Sequence, residues 1–246
     1  MHPHIAQQLV ALNRAFYEQF AEPFHQSRRE PVAGFYRLLG VLPTRPLTVL
    51  DVGCGNGRWG FFLAGYGRVA HYLGLDNSPS YLAKGQATAA SHASPTLFHF
   101  QLADMHEAGF TAELGQFELI ICLSAMQHVP GRAQRAALLA ELGRHLAPNG
   151  QLVLGNWQLL DSERQRAKVL PWSAVGLSES DVEAGDYLVS WQKGGTGCRY
   201  VAHIDEAQTA ELAAHAQLAI THQFRADGRE GNLNLYTILN QSGTQS

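Results

Sequence analysis

The stretch Val49-Leu50-Asp51-Val52-Gly53-Cys54-Gly55-Asn56-Gly57-Arg58-Trp59-Gly60 decides how the rest of the chain is read. An apolar run ends in three alternating glycines, and a helix-compatible segment follows. Glycines at such a corner let the backbone turn tightly and let a ligand approach without a Cβ in the way. The spacing is GxGxG, whereas the dinucleotide fingerprint is GxGxxG. Asp51 adds a negative charge just before the loop. That opposes a pyrophosphate and favours a cation such as an amino-acid ammonium or a sulfonium, so a nicotinamide dinucleotide is disfavoured.

Working outward, apolar runs alternate with helical patterns. Strands are predicted at 47–52, 69–75, 97–102, 117–123 and 151–155, with helices at 58–66, 78–90 and 132–146. Ser78 is a natural N-cap before Pro79. Buried strands alternating with helices predict a parallel sheet covered on both faces. Asp76 ends the second strand, where a carboxylate can accept hydrogen bonds from both ribose hydroxyls of a nucleoside; Asn77 follows it. Asp104-Met105 ends the third, where a carboxylate can meet an adenine amino group while the apolar neighbour covers the ring. Leu123-Ser124 ends the fourth. Ligands of open α/β sheets bind at these carboxyl ends. Any one of these features alone fits a tight turn or a helix cap, but their coincidence at matching strand ends points to a nucleoside site.

The first 45 residues read as a helical cap. Ile5, Leu9, Leu12, Phe16 and Phe20 form one apolar face, Pro23 and Pro31 break the region, and a second helix covers 32–42. After residue 155 the rhythm changes. A lid-like insertion at 156–204 holds Trp157, Trp172, Tyr187 and Trp191, with a hairpin around a GGTG turn. These aromatics suit either the core of the insertion or the stacking of an acceptor. A helix at 205–216 and strands at 218–224 and 233–239 close the chain. This pattern predicts one domain, with a cofactor core at 46–155 and closing elements at 205–246.

At 246 residues with 46% hydrophobic side chains the chain can bury a sizeable core. A formal net charge of −3 excludes a chain built mainly to coat nucleic acid, which needs a basic surplus. Three scattered cysteines give no zinc ligand set, and the twelve histidines form no HExxH cluster, so no metal is expected. Neither a signal-peptide pattern nor an apolar run of membrane-spanning length is seen, which predicts a cytoplasmic protein with no membrane partner.

Over residues 47–156 the chain resembles the class I S-adenosylmethionine-dependent methyltransferases, whose first motif is similar to the DVGCGNG loop here. The resemblance implies a Rossmann-like, seven-stranded, mostly parallel sheet whose last strand is antiparallel, with S-adenosyl-L-methionine as cofactor. It implies that Gly53, Gly55 and Gly57 line the methionine part, Asp76 holds the ribose, and Asp104 and Met105 flank the adenine. Asp51, Cys54, Asn56, Asn77, Leu123 and Ser124 complete the expected cofactor set, Cys54 reading also as a small packing residue.

A narrower similarity is to the tRNA wobble-uridine carboxymethyl methyltransferases. Tyr17, Phe24, Arg28 and Pro31 stand at that family's spacing before DVGCGNGR, and Ser124-Ala125-Met126-Gln127-His128 is similar to its stretch after the fourth strand. The chain departs from the pattern at Val32 and Gln127, and Arg199-Tyr200 matches the family's C-terminal motif only loosely. His128 is the candidate for orienting the acceptor or taking its proton, with a backbone-bonded structural histidine as the alternative. Tyr17 and Arg28 are candidate acceptor contacts, Arg28 through its planar fork. The expected acceptor is a tRNA wobble-uridine side chain or a small metabolite. For the RNA reading, a small activator protein would supply the missing basic face. A cofactor-binding protein without catalysis is the third reading.

Overall fold

The computed structural model describes residues 1–26 and 30–243. Ten strands and eight α-helices follow in the order α1 (Pro3–Gln19), α2 (Ala21–Gln26), α3 (Ala33–Val41), β1 (Leu47–Val52), α4 (Arg58–Gly65), β2 (Val69–Asp76), α5 (Pro79–Ser91), β3 (Leu97–Leu102), β4 (Phe117–Leu123), α6 (Arg132–Arg144), β5 (Leu146–Trp157), α7 (Glu163–Arg166), β6 (Val169–Leu170), β7 (Asp186–Trp191), β8 (Gly197–Ala202), α8 (Glu206–His215), β9 (Leu218–Ala226) and β10 (Asn234–Gln241).

Seven strands form one sheet in the order β3-β2-β1-β4-β5-β10-β9. The β1–β2, β1–β4, β2–β3 and β4–β5 pairs are parallel, and β10 runs antiparallel to both β5 and β9. This is the Rossmann-like arrangement expected from the sequence. Its central strands carry side chains with no exposure on either face: Leu50, Ile120, Leu152 and Leu154 pack on one side, and Val49, Leu119, Ile121 and Val153 on the other. Two-sided burial is why these runs read as continuously apolar. At the β3 edge, Leu97 and Leu102 are exposed.

Several boundaries differ from the sequence reading, each for a local reason. The first helix ends at Gln19 with Phe20 as its C-cap, and Pro23 sits inside the first turn of α2, where its missing N–H breaks no intrahelical bond. Leu146 leaves the predicted helix to pair with Phe117, and β5 runs on to Trp157, so Trp157 belongs to the main sheet. Between β5 and α8 the chain builds a second, three-stranded antiparallel sheet in the order β6-β7-β8. The β7–β8 hairpin was expected; the two-residue β6 was too short to carry a pattern.

The N-terminal helix docks on that small sheet through Asn13. Its Oδ1 accepts from the Tyr200 backbone N–H at 2.7 Å, and its Nδ2 donates to the Tyr200 carbonyl at 3.1 Å. Asn13 thus serves the free edge of β8 as the next strand would. The other cap helix, α3, is tied to the main sheet: the Asp227 carboxylate accepts from the Gly34 N–H at 2.6 Å and from the Tyr236 hydroxyl at 2.5 Å.

Candidate functional site

A cavity of about 470 Å³ opens at the carboxyl ends of the central strands. Its floor is the loop between β1 and α4, its roof is α1, and β7 and β8 form one wall. Among the expected site residues, Asp51, Gly53, Cys54, Gly55, Asn56, Asp76, Asn77, Met105, Leu123, Ser124, Tyr17 and His128 all line it.

Backbone conformation explains the glycine loop. Gly53, Gly55 and Gly57 have φ of 70°, 57° and 74°, in the left-handed region where a Cβ is strained. A Cβ on Gly55 would meet no protein atom within 4 Å and would stand in open space. A Cβ on Gly57 would lie 2.7 Å from the Phe100 ring. Gly57 therefore starts α4 and admits Phe100 beneath the loop, and it does not line the cavity as its sequence position suggested.

Asp76 straps the loop from β2. One carboxylate oxygen accepts from the Gly55 N–H at 2.8 Å, and the other from the Ser78 N–H at 2.9 Å. Burial pushes its pKa up, and these backbone hydrogen bonds oppose the shift. Asp51, at the end of β1, accepts from the Tyr72 hydroxyl at 2.7 Å. Burial raises its pKa to about 7; the Tyr72 bond works against this, and Asp76 adds to it by repulsion. The Cys54 thiol, driven up by burial and by Asp51 and Asp76, stays protonated and inert.

Asp104 is placed differently from the expectation. Its carboxylate receives the Arg14 guanidinium at 2.6 Å and the His106 Nδ1 at 2.6 Å, and it does not line the cavity. Burial pushes this carboxyl up, yet the hydrogen bonds from His106 and Arg14 outweigh it and hold the group well below the usual range. Its neighbours Met105 and His106 are the residues that face the cavity. Arg28 lies outside the described residues.

At the far end of the cavity, Tyr17 from α1 and His128 meet, with 2.8 Å between the phenol oxygen and Nε2. His128 Nδ1 lies 3.1 Å from the Tyr200 carbonyl, which only accepts, so Nδ1 carries the proton and Nε2 accepts from Tyr17. In the sequence Arg199 stands out only through the loosely matched Arg199-Tyr200 motif. The structure puts it in the cavity wall, 5% exposed, under the rings of Trp157, Phe16, Trp191 and Tyr17 at 4.5–5.9 Å from their centroids. Lys168, Gln165 and Ser190 line the same end. Of the aromatics singled out earlier, Trp157 and Trp191 face the cavity, while Trp172 is buried in the core and Tyr187 packs on Leu159, Val189 and Val201.

Residues 49–150 match a family model described as a methyltransferase domain. Over those residues the chain carries a methyltransferase domain. Its fold is shared with a solved S-adenosylmethionine-dependent methyltransferase from Methanosarcina mazei: TM-score 0.66 at 19% identity, covering 84% of this chain and 97% of that one. The chain is 34% identical over 134 residues to trans-aconitate 2-methyltransferase of Deinococcus radiodurans, covering 54% of this chain and 47% of that protein. It is 23% identical over 166 residues to the tRNA (carboxymethyluridine(34)-5-O)-methyltransferase of Mus musculus, covering 67% of this chain and 23% of that protein. The chain spans about half the length of the trans-aconitate methyltransferases it matches.

The methyltransferase domain suits its cofactor on its own geometry. Gly55 leaves open space where a side chain would stand, two carboxylates reach the carboxyl ends of β1 and β2, and Met105 and Leu123 supply apolar walls. The donor set is anionic and lined by backbone, which matches an ammonium, a sulfonium and ribose hydroxyls. Among the described residues no group of three His, Cys, Asp or Glu is placed to hold a metal ion, and no helix is long and apolar enough to cross a membrane.

Proposed function

We propose that this chain methylates a carboxylate oxygen of an acceptor that enters the cavity beneath α1, releasing a methyl ester. When bound, S-adenosylmethionine supplies an electrophilic methyl on a sulfonium. Asp51 would face its ammonium, Asp76 its ribose, and Met105 its adenine.

One observation supports the carboxylate reading above the others. His128 lies at the acceptor end, yet it is buried and both ring nitrogens are engaged: Nε2 by the Tyr17 hydroxyl and Nδ1 by the Tyr200 carbonyl. A hydroxyl or protonated amine acceptor needs a base within hydrogen-bond reach. An ionised carboxylate needs none, only alignment and the exclusion of water. His128 then acts as a positioning residue that holds Tyr17 against the cavity. The names of two relatives carry the same chemistry, one an aconitate and the other a carboxymethyl group.

A small organic acid is the leading acceptor, because α1 and the β6–β8 sheet wall the cavity and the chain has a net charge of −3. The tRNA side chain is the second reading. It is favoured by the meeting of Tyr17 and His128, which belong to the motifs that resemble the tRNA enzymes.

Incubation with methyl-labelled cofactor and desalted cell extract tests both. Label is expected in the small-molecule fraction, released as methanol by mild base. Nuclease-sensitive, base-labile label in a tRNA-sized fraction would replace the first reading by the second. Base-stable label in either fraction would end the carboxylate reading.

A further inference from the structure

Charges of both signs line the cavity, with Arg58 at the start of α4 near Asp51, and Arg14 on α1 paired with Asp104. Asp51 and Asp76 stand at the β1 and β2 end, with Glu18, Glu30 and Asp227 elsewhere on the lining. The β6–β8 sheet brings two further cations to its own wall. Arg199 comes from β8, and Lys168 immediately precedes β6, where its carbonyl accepts from the Ser190 N–H at 2.8 Å. Ser190, on the central strand of that sheet, lines the cavity with them.

Arg199 is not placed as a surface charge would be, and Lys168 is half-buried at the rim near it. Burying a guanidinium is costly unless partners compensate. Here burial lowers the Arg199 pKa, and the neighbours that oppose this are the phenols of Tyr17 and Tyr81. The four rings return part of the cost through their quadrupoles. Lys168 is lowered as well, by burial and then by repulsion from Arg164 and Arg199. Two cations that repel each other across one cavity wall gain from an anion between them. The same guanidinium has Trp157 and Trp191 beside it, and both rings line the cavity with flat apolar faces.

We infer that Arg199 and Lys168, with the rings of Trp157 and Trp191, form an anion-recognition site for the acceptor, selecting organic acids whose carboxylate is joined to a flat, unsaturated or aromatic body. This rests on the methyltransferase reading and deepens it: Arg199 fixes the acid through its planar fork, the rings hold the flat body, and Lys168 adds charge at the rim.

The test measures binding without turnover. Trans-cinnamate and its neutral isostere trans-cinnamamide are titrated into the protein saturated with S-adenosylhomocysteine, following tryptophan fluorescence and calorimetric heat. The acid is expected to bind at least tenfold more tightly than the amide. Lys168→Met should reduce that ratio about threefold, and Arg199→Met should abolish it. Because Arg199 is buried, Arg199→Lys serves as a folding-tolerant second variant and should retain part of the preference. Equal affinity for acid and amide, or no binding of either at millimolar concentration, would overturn the inference. Heat from S-adenosylhomocysteine alone is recorded first. Its absence would count against the methyltransferase reading itself, whereas its presence with no acid preference isolates the failure to Arg199 and Lys168.

Discussion

The phenol of Tyr17 donates to Nε2 of His128 across 2.8 Å, while the opposite ring nitrogen donates to the Tyr200 carbonyl at 3.1 Å. A histidine held from both sides in one tautomer is a strut between the cap helix and the β8 strand. His128→Ala is therefore expected to lower kcat less than tenfold, with the larger effect in the acceptor KM. General-base roles contribute about 10²–10⁴-fold. A loss in that range, with the wild-type pH–rate profile showing a step in the ordinary imidazole region that the variant lacks, would restore His128 as a base. Tyr17→Phe should reproduce the KM effect, since it removes the same strut.

Asp76 has two tasks that a substitution separates. Its carboxylate straps the Gly55 and Ser78 amides, and it stands where ribose hydroxyls would sit. Asp76→Ala should weaken S-adenosylhomocysteine binding by about 1–3 kcal/mol, the cost of leaving such partners unmade. Asp76→Asn keeps one acceptor oxygen and should lose less. Calorimetric affinities equal to wild type in both variants would remove Asp76 from the cofactor site.

Asp51 gives the apo protein a pH signature of definite sign. Its folded pKa is about 7 against an ordinary 3.8, so between those values the folded state keeps a proton that the unfolded state has released. Stability of the cofactor-free protein should then fall as pH rises from about 4 to 7, by up to about 4 kcal/mol at roughly 1.4 kcal/mol per unit. An ammonium beside Asp51 prefers the carboxylate, so S-adenosylhomocysteine should bind more tightly at pH 8 than at pH 6. Thermal melts with and without ligand measure both trends, and a ligand-induced shift independent of pH would show that Asp51 does not face the ammonium. Asp51→Asn should flatten both curves.

The sheet was legible because its strands are buried on both faces and therefore read as apolar runs such as Leu47–Val52 and Phe117–Leu123. The glycine loop and Asp76 were legible because backbone conformation and charge at a strand end restrict residue type. Asp104 was misplaced because the decisive partner, Arg14, is 90 residues away in sequence, and no local pattern shows that a carboxylate is already engaged. Arg199 offered one signal, a charge inside the apolar strand Gly197–Ala202, but the rings that surround it come from α1, β5 and β7. Such long-range convergence is written in the fold and not in any window of sequence.

Asn13 is the joint that carries the cap helix, and its loss should be measurable in two ways. It satisfies both the N–H and the carbonyl of Tyr200, and both residues are buried. In Asn13→Ala the Tyr200 N–H loses its partner, and a buried amide without one costs about 1–3 kcal/mol. Urea unfolding should show a lower midpoint with an unchanged slope, since the exposed surface on unfolding is the same. Removing the joint should also speed hydrogen exchange at the Tyr200 amide relative to amides at the centre of β1 and β4, because local opening of the β8 edge no longer breaks a bond to α1. Wild-type exchange at Tyr200 in the variant would mean that the edge of β8 is held by the strand itself, and that α1 is anchored through Phe16 and Phe20 instead.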